Sequence, residues 1–219
     1  MRLIKKTSGE STRKEIPEEE RPGRLYHYTS VPGLLGIVKS KSLWLSDSRA
    51  LNDHQESIWI DKYILEFLNS ELDNKDIIDN ILEVFKANNP IPFICCFSEN
   101  GDLLSQWRAY ADDGLGVSIG FDPPQFLIPF SLPMTSDEKD LTLGMYPVLY
   151  KDEEQKEVVE SGLKVRISRI LEVDSDRSKS IMSAALWLRQ MSFVFKNVSF
   201  EEEKEWRIIH TPLILRIYP

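Results

Sequence analysis

The chain contains 219 residues, of which 42% are hydrophobic and 28% charged, and this balance excludes a disordered chain. Its formal net charge of −8 disfavours broad binding to nucleic acid, because an acidic surface repels the phosphate backbone at long range. No apolar run approaches the roughly 18 residues of a membrane-spanning helix, so we expect no membrane partner.

The two cysteines of the chain, Cys95 and Cys96, are adjacent in an apolar run. Neighbouring residues of a strand point to opposite faces, so this pair is poorly placed to form a disulfide. A chain without disulfides is typical of a reducing compartment, and the N-terminal residues contain no apolar signal core. We therefore expect a cytoplasmic protein.

The first predicted elements lead into a single domain. Residues 1–22 are polar and contain prolines, so we predict a mobile polar arm there, followed by one α+β domain over residues 23–219. The aromatic-rich residues 24–30 predict a strand, and Ser30 before an apolar stripe predicts the start of a helix. Residues 43–46 predict a second short strand.

The middle of the chain alternates helical and strand patterns. Asp53, with Glu56 three residues later, matches a capping box at the start of a helix that continues to about residue 68. The next predicted elements are a helix at 75–87, a strand at 92–98, a short helix at 102–110 and a strand at 116–121. The continuous apolar character of the strand at 92–98 suits a central strand that is buried on both faces.

The last third of the chain completes the predicted fold. After a long proline-containing connection at 122–142, we predict a strand at 145–150, helices at 153–171 and 178–196, and strands at 206–210 and 213–218. The fold class is therefore α+β, with a central, largely antiparallel sheet of five or more strands. Helices from residues 54–88 and 153–196 should cover this sheet.

His27 is the first candidate for chemistry. It lies on a predicted strand between two tyrosines and shortly before a helix N-terminus, a position that favours anions such as a pyrophosphate. The alternative is a core histidine whose hydrogen bonds are satisfied within the fold. The three histidines of the chain are scattered and do not match metal-site spacings, so they do not predict zinc.

Glu203 and Glu205 are the second candidates. Residues i and i+2 of a strand project to one face, so two such carboxylates could hold a sugar hydroxyl, and the pKa of one of them would rise. The alternative is a solvated acidic turn, because Glu201 and Glu202 extend the run of charge.

A metal site is a third possibility. Asn52, Asp53 and Glu56 could ligate an ion, and with His27 they leave a metal-dependent hydrolase or nuclease as an open alternative. The capping box explains the same spacing without an ion, so we predict no metal.

Three further side chains could bind a small molecule. Ser98 ends the predicted central strand, and loops at such ends often carry ligands. Trp107 and Tyr110 are three residues apart on one helix face, where they could stack on a flat ring or fill the core.

An ordered set of short strings resembles a bacterial family known as a domain of unknown function, numbered 2971. The strings are Leu25-Tyr26-His27-Tyr28-Thr29-Ser30, Leu43-Trp44-Leu45-Ser46, Leu51-Asn52-Asp53 with Glu56, Cys96-Phe97-Ser98, Trp107, Tyr110-Ala111, residues 116–121 and Glu203-Lys204-Glu205-Trp206-Arg207-Ile208. Together they cover about residues 24–210. The resemblance is carried by the order of the strings rather than by any one of them.

That family is similar to the ADP-ribosyltransferase superfamily, and the resemblance implies the fold and the NAD chemistry of that superfamily. Its members place a His or Arg on the first strand to hold the nicotinamide ribose, and a Glu, often within Glu-x-Glu, on a late strand. The resemblance thus implies catalytic roles for Glu205 and Glu203, with NAD as co-substrate. The cofactor-binding residues that it implies are His27, Tyr28, Thr29, Ser46, Ser98, Trp107 and Tyr110.

The implied activity is NAD-dependent ADP-ribosyl transfer to an unknown macromolecular acceptor, as in a toxin or an anti-phage effector. A non-catalytic module that senses a nucleotide or mediates an interaction is the first alternative. If the late strand pairs beside the first strand, His27 and Glu205 can face one cleft of ribose width. Trp107 or Tyr110 would then form one wall of that cleft.

Overall fold

The computed structural model describes residues 15–50, 58–87, 92–133, 142–172 and 177–212. Its strands are β1 (Leu25–Thr29), β2 (Ser46–Asp47), β3 (Phe93–Ser98), β4 (Val117–Phe121), β5 (Leu143–Pro147) and β6 (Glu205–His210). Its α-helices are α1 (Val31–Ser40), α2 (Ile58–Glu71), α3 (Lys75–Ala87), α4 (Leu104–Tyr110), α5 (Asp152–Glu172) and α6 (Arg177–Met191). The predicted α+β class is confirmed.

The strands form one antiparallel sheet in the order β4-β1-β3-β6-β5, and β2 also pairs with β3. The continuous apolar run that predicted a central strand is β3, and both of its edges are paired. The first and late strands are not neighbours, because β3 lies between β1 and β6, so the pairing on which one shared cleft was made conditional does not occur. An apolar run without alternation is stable where both faces are covered, which explains why β3 occupies this place.

The sheet is split between β1 and β3. Their register contains one pair, Tyr26 opposite Ser98, whereas β3 and β6 pair along six positions. Beyond this pair the strands diverge, and the imidazole Nδ1 of His27 contacts the carbonyl oxygen of Cys96 at 2.9 Å. A side chain therefore replaces backbone pairing at this point of the sheet.

Each face of the sheet carries its own apolar cluster. On one face, α2, α3, α5 and α6 bury their apolar stripes against Ile94 and Ile209. The other face is covered by a second cluster that comprises Leu25, Cys95, Phe97, Phe130, Met145, Trp206 and Ile208. Because side chains alternate along a strand, consecutive residues of β3 and β6 belong to opposite clusters.

The predicted start of α1 is confirmed. Ser30 is the N-cap residue, and its Oγ accepts a hydrogen bond from the backbone N–H of Gly33 at 3.2 Å. This bond satisfies one of the backbone donors that a helix N-terminus leaves unpaired.

Several predicted boundaries differ from the structure. The strand expected at 43–46 is the two-residue β2, because Leu43 and Leu45 pack against the second cluster instead of pairing. The strand expected at 145–150 begins two residues earlier, as β5. The helix expected to reach residue 196 ends at Met191, since Lys196 then bonds through its backbone N–H to the carbonyl of Leu149.

Three predictions involve residues that lie partly or wholly outside the described ranges. The capping box of Asp53 and Glu56 and the strand at 213–218 lie wholly outside them. Of the predicted arm, residues 15–22 are described, and the backbone N–H of Ile16 donates to the carbonyl of Phe130. The Ile16 side chain packs against the second cluster, so this part of the segment contacts the domain.

Candidate functional site

A cavity of about 60 Å³ lies where β1 and β3 diverge. Its walls come from β1, β3, α4 and the segment that enters β6, and comprise Tyr26, His27, Tyr28, Cys96, Phe97, Gln106, Tyr110, Glu203 and Glu205. The structure thus brings together five of the site residues predicted from the sequence: His27, Tyr28, Tyr110, Glu203 and Glu205. Residues from both ends of the described chain meet here.

His27 and Glu205 approach this cavity from different faces of the sheet. The His27 ring lies 5.6 Å from the ring of Phe97, between centroids, and 3.8 Å from the Cys95 sulfur. The Glu205 carboxylate is hydrogen-bonded to Cys96, whose side chain points to the opposite face from Cys95 and Phe97. The split between the strands is what allows one cavity to contact both residues.

His27 is held in one tautomer by the chain itself. A carbonyl oxygen can only accept, so the Nδ1 atom that contacts Cys96 O carries the proton, and Nε2 of the neutral ring is an acceptor. Burial lowers the pKa of His27 below its ordinary value of 6.5, although the hydrogen bond to Cys96 opposes this shift. The ring is therefore neutral at pH 7 and can accept a hydrogen bond from a ligand hydroxyl.

Glu205 belongs to a buried network of four charged side chains. Arg207 donates from Nε to Glu205 Oε1 at 2.7 Å and from Nη2 to Oε2 at 3.0 Å. Lys196 Nζ donates to Glu205 Oε2 at 3.2 Å and to Glu203 Oε2 at 2.7 Å. All four residues are buried, and the two positive charges balance the two negative ones.

The network fixes the ionisation state of Glu205. Burial alone would raise the pKa of this carboxyl, but the charge and hydrogen bonds of Arg207, together with the charge of Lys196, lower it to about 2. The expectation that one carboxyl of the pair has a raised pKa is therefore wrong for Glu205. The bidentate arginine contact and the Lys196 charge favour the ionised form more strongly than burial disfavours it.

The sequence predicted that Glu203 and Glu205 lie on one strand. In the structure only Glu205 belongs to β6, and Glu203 precedes the strand. It ends the 3₁₀ turn Val198–Glu203, and Lys204 then adopts a left-handed backbone with φ 42° before β6 begins at Glu205. Lys196 brings the two carboxylates together across this turn. The two carboxylates are therefore close, as predicted, but they are joined through Lys196 and not through alternation along one strand.

Tyr28 anchors α4 to the sheet. Its hydroxyl donates to the carbonyl of Asn100 at 2.7 Å and accepts from the backbone N–H of Leu103 at 2.9 Å. Its ring meets Trp107 edge-on with centroids 5.3 Å apart, and the Trp107 indole N–H donates to Asp102 at 2.8 Å. Trp107 therefore packs against the Tyr28 ring and is not part of the cavity wall.

Three other predicted site residues also lie outside the cavity wall. Ser98 is buried, and its hydroxyl donates to the carbonyl of Glu203 at 2.6 Å, which ties the acidic turn to β3. Ser46 is exposed and pairs with Ile94, four residues from Ser98 along β3 and thus about 13 Å away. Thr29 ends β1 opposite Val117.

The described residues provide no ligand set for the metal site that the sequence left open as an alternative. No group of three His, Cys, Asp or Glu side chains in those ranges is arranged to hold a metal ion. Of the residues considered for such a site, Asn52, Asp53 and Glu56 lie outside the description, and His27 contacts a backbone carbonyl.

A second, more open cavity of about 440 Å³ adjoins the outer side of the acidic turn. Its wall includes Glu99, Tyr150, Glu201, Glu202, Lys204 and Trp206, and Glu205 also contributes to it. Glu99, Glu201 and Glu202 are exposed, so the rim of this cavity is predominantly acidic. Such a rim repels an anionic ligand.

The two lowered pKa values predict how stability depends on pH. Because the folded state lowers the pKa of His27, the contribution of this residue to stability is fully present above pH 6.5. It is lost as the pH falls below that value. The lowered pKa of Glu205 adds a second loss between about pH 4.5 and 2. Chemical denaturation at pH 7, 5 and 3 measures both, with His27→Gln as control. If the parent and His27→Gln lose the same free energy of unfolding between pH 7 and 5, the assignment to His27 is contradicted.

Sequence reasoning missed Arg207 and Lys196 of the charged network and four residues of the cavity wall, Tyr26, Cys96, Phe97 and Gln106. Arg207 was recoverable, because it lies two positions from Glu205 on a strand and so faces the same way. Lys196 and Gln106 had no local signal, since each meets the site through tertiary contacts alone.

Comparison with known protein families finds a match over part of the chain. Residues 106–208 match the family described as "Protein of unknown function (DUF2971)", a range that begins inside α4 and includes Lys196 and the acidic turn. This match supports the resemblance to that family. No curated protein and no solved structure matches the chain. No α-helix in the described ranges is long and apolar enough to span a bilayer.

Proposed function

We propose that this domain binds NAD at the cavity between β1 and β3 and transfers ADP-ribose to a macromolecular acceptor. The observation that carries the proposal is that His27, on the first strand, and Glu205, at the start of β6, contribute to one cavity wall. These are the two positions at which the resemblance implies ribose binding and catalysis. An ADP-ribosyltransferase-like fold is part of the same proposal.

The chemistry of both side chains suits this role. Loss of nicotinamide leaves an electron-poor, oxocarbenium-like ribose, which a nearby carboxylate stabilises. The low pKa of Glu205 keeps its carboxylate ionised at any physiological pH. Neutral His27 offers Nε2 as an acceptor for a ribose hydroxyl, while Nδ1 holds the ring in place.

Charge favours the cavity of about 60 Å³ between β1 and β3, called the inner cavity below, over the larger cavity as the NAD site. The pyrophosphate of NAD is anionic, and the larger cavity presents the exposed carboxylates of Glu99, Glu201 and Glu202. A volume of about 60 Å³ holds only part of a dinucleotide, so the adenosine end must extend from the cavity over the surface. Tyr110, which is 44% exposed on α4, is the wall residue that offers an aromatic ring to such an extension.

His27→Ala is expected to weaken NAD binding by roughly tenfold or more, because it removes the acceptor that holds the ribose. Isothermal titration calorimetry with NAD measures this change. His210→Ala is the matched control, because His210 lies on β6 and bonds to Thr142 away from the cavity. Equal affinity of the parent and His27→Ala for NAD would exclude the proposed role of His27.

A non-catalytic nucleotide-binding module is the second candidate, and the four-charge network favours it. Arg207 and Lys196 already compensate the Glu205 carboxylate, which reduces the charge available to a reacting ribose. Incubation with labelled NAD separates the two functions. Release of nicotinamide with transfer of label supports the enzyme, whereas saturable binding without turnover supports the module.

A further inference from the structure

β4 forms an edge of the sheet that has no second strand beside it in the described ranges. Among the described residues β4 pairs with β1 alone, so the backbone N–H and C=O groups along its other edge have no strand partner. The opposite edge of the sheet differs, because the backbone N–H of Met145 in β5 donates to the carbonyl oxygen of Pro129 at 2.9 Å. The chain therefore bonds to one edge of its sheet and leaves the edge at β4 open.

The sequence of β4 does not protect this edge. Proteins usually protect an exposed edge strand with a charged residue, a proline or a bulge, because free backbone groups pair readily with another chain. β4 contains neither a charge nor a proline, and its pairing with β1 is regular, without a bulge. Val117 and Ile119 are partly exposed and belong to neither apolar cluster. Backbone groups and apolar side chains are thus both available to a partner strand.

β4 is complementary to a second copy of itself. When two copies pair antiparallel about a two-fold axis at Ile119, the facing residues are Ile119 with Ile119, Val117 with Phe121, Ser118 with Gly120, and Gly116 with Asp122. Apolar side chains then face apolar side chains, and no two like charges are opposed. The charge nearest to the strand, Asp122, is already paired with Arg24 at 3.1 Å.

We propose that the outer edge of β4 is a homodimer interface, at which two copies of the chain join their sheets antiparallel about Ile119. The joined sheet contains the order β4-β1-β3-β6-β5 twice, with the two β4 strands at its centre. We assign a second copy and not a different peptide because the strand matches itself on both sides of the axis, as an isologous interface requires. The dimer needs no ligand, so this interface is independent of the proposed NAD site.

The size of the interface sets the expected affinity. One pair of five-residue strands buries less area than a standard interface, so we expect a dissociation constant on the order of 10 µM. Sedimentation velocity on the full chain should show the mass rise from 25.4 kDa to twice that value between about 1 and about 300 µM. A monomer across this whole range overturns the proposal, including the case in which another segment of the same chain covers β4.

Substitutions at Ile119 test the register, because this residue faces its own copy. Ile119→Lys and Ile119→Asp each place two like charges across the axis, so either variant alone should dimerise roughly a hundredfold more weakly than the parent. A mixture of the two variants opposes unlike charges and should form heterodimers within about tenfold of the parent's affinity. Val165→Lys is the matched control, because Val165 is 53% exposed on α5 and this variant should dimerise as the parent does.

Two results of this experiment would overturn the proposed register. One is dimerisation of Ile119→Lys with the affinity of the parent. The other is a mixture of Ile119→Lys and Ile119→Asp, each shown to be folded by circular dichroism, that stays monomeric. Heterodimers in the mixture support the register, since a loss of folding in the single variants would not be reversed by mixing.

Hydrogen exchange locates the interface in the parent without any substitution. Pairing adds backbone hydrogen bonds along β4, so amides within residues 117–121 should exchange roughly tenfold more slowly at about 300 µM than at about 1 µM. The amides of β5 should exchange at the same rate at both concentrations. Protection that rises with concentration in another segment, while the rates in β4 stay unchanged, overturns the assignment to β4.

Discussion

Glu205→Gln is expected to slow turnover of NAD by ~100-fold or more while leaving NAD binding largely intact. The substitution keeps the shape of the side chain but removes a charge that acts mainly in the transition state. Release of labelled nicotinamide measures turnover, and calorimetry measures binding. Glu202→Gln is the matched control, because it removes one charge from the same turn at an exposed position.

The same variant should also be less stable, which the turnover assay must take into account. Glu205→Gln leaves Arg207 and Lys196 with a single carboxylate in a buried network, at a cost of about 3–5 kcal/mol. Turnover is therefore compared at a temperature where circular dichroism shows both proteins folded. Unchanged turnover in folded Glu205→Gln would exclude the proposed catalytic role of Glu205.

Lys196→Met is expected to lower the free energy of unfolding by about 3–5 kcal/mol. Lys196 is 2% exposed and bridges Glu203 and Glu205, so its removal leaves two buried carboxylates with Arg207 as their compensating charge. Urea unfolding monitored by circular dichroism measures the change. Lys151→Met is the matched control: Lys151 is about half exposed and lies 3.5 Å from Glu201, so its loss should cost at most ~1 kcal/mol.

A double variant tests whether this loss comes from charge imbalance or from packing. Glu203→Gln in the Lys196→Met background removes one of the two uncompensated carboxylates, so part of the lost stability should return. The packing lost with the Lys196 side chain, whose ammonium lies 4.8 Å from the Phe200 ring centroid in the parent, is not restored by the second substitution. Additive losses in the double variant would contradict the charge explanation.

Local patterns in the sequence predicted most of the elements of this fold. The apolar run at 92–98 gave the correct location of β3, and Ser30 gave the start of α1. Such signals depend on side-chain period and capping chemistry within a few residues, so they can be read without tertiary information. His27 and Glu205 were also identified by residue type and position, and both contribute to the inner cavity.

Element ends were less predictable where distant contacts decide them. The last predicted turn of α6 is absent because the backbone of Lys196 bonds to Leu149, more than forty positions earlier in the chain. β2 is short because Leu43 and Leu45 pack against the second apolar cluster. In both places burial and long-range hydrogen bonds outweigh the modest preferences of the local sequence.

By itself, the sequence determined the α+β class, the places of the strands and the residue types available for chemistry, because these follow from local periodicity. Tertiary structure alone decided that β3 separates β1 from β6 and that Lys196 joins the carboxylates of Glu203 and Glu205. Strand order depends on which pairing buries the most apolar surface, and charge partners depend on which side chains that pairing brings within hydrogen-bond distance. Neither quantity is a property of a local segment, so neither could be read before the chain was folded.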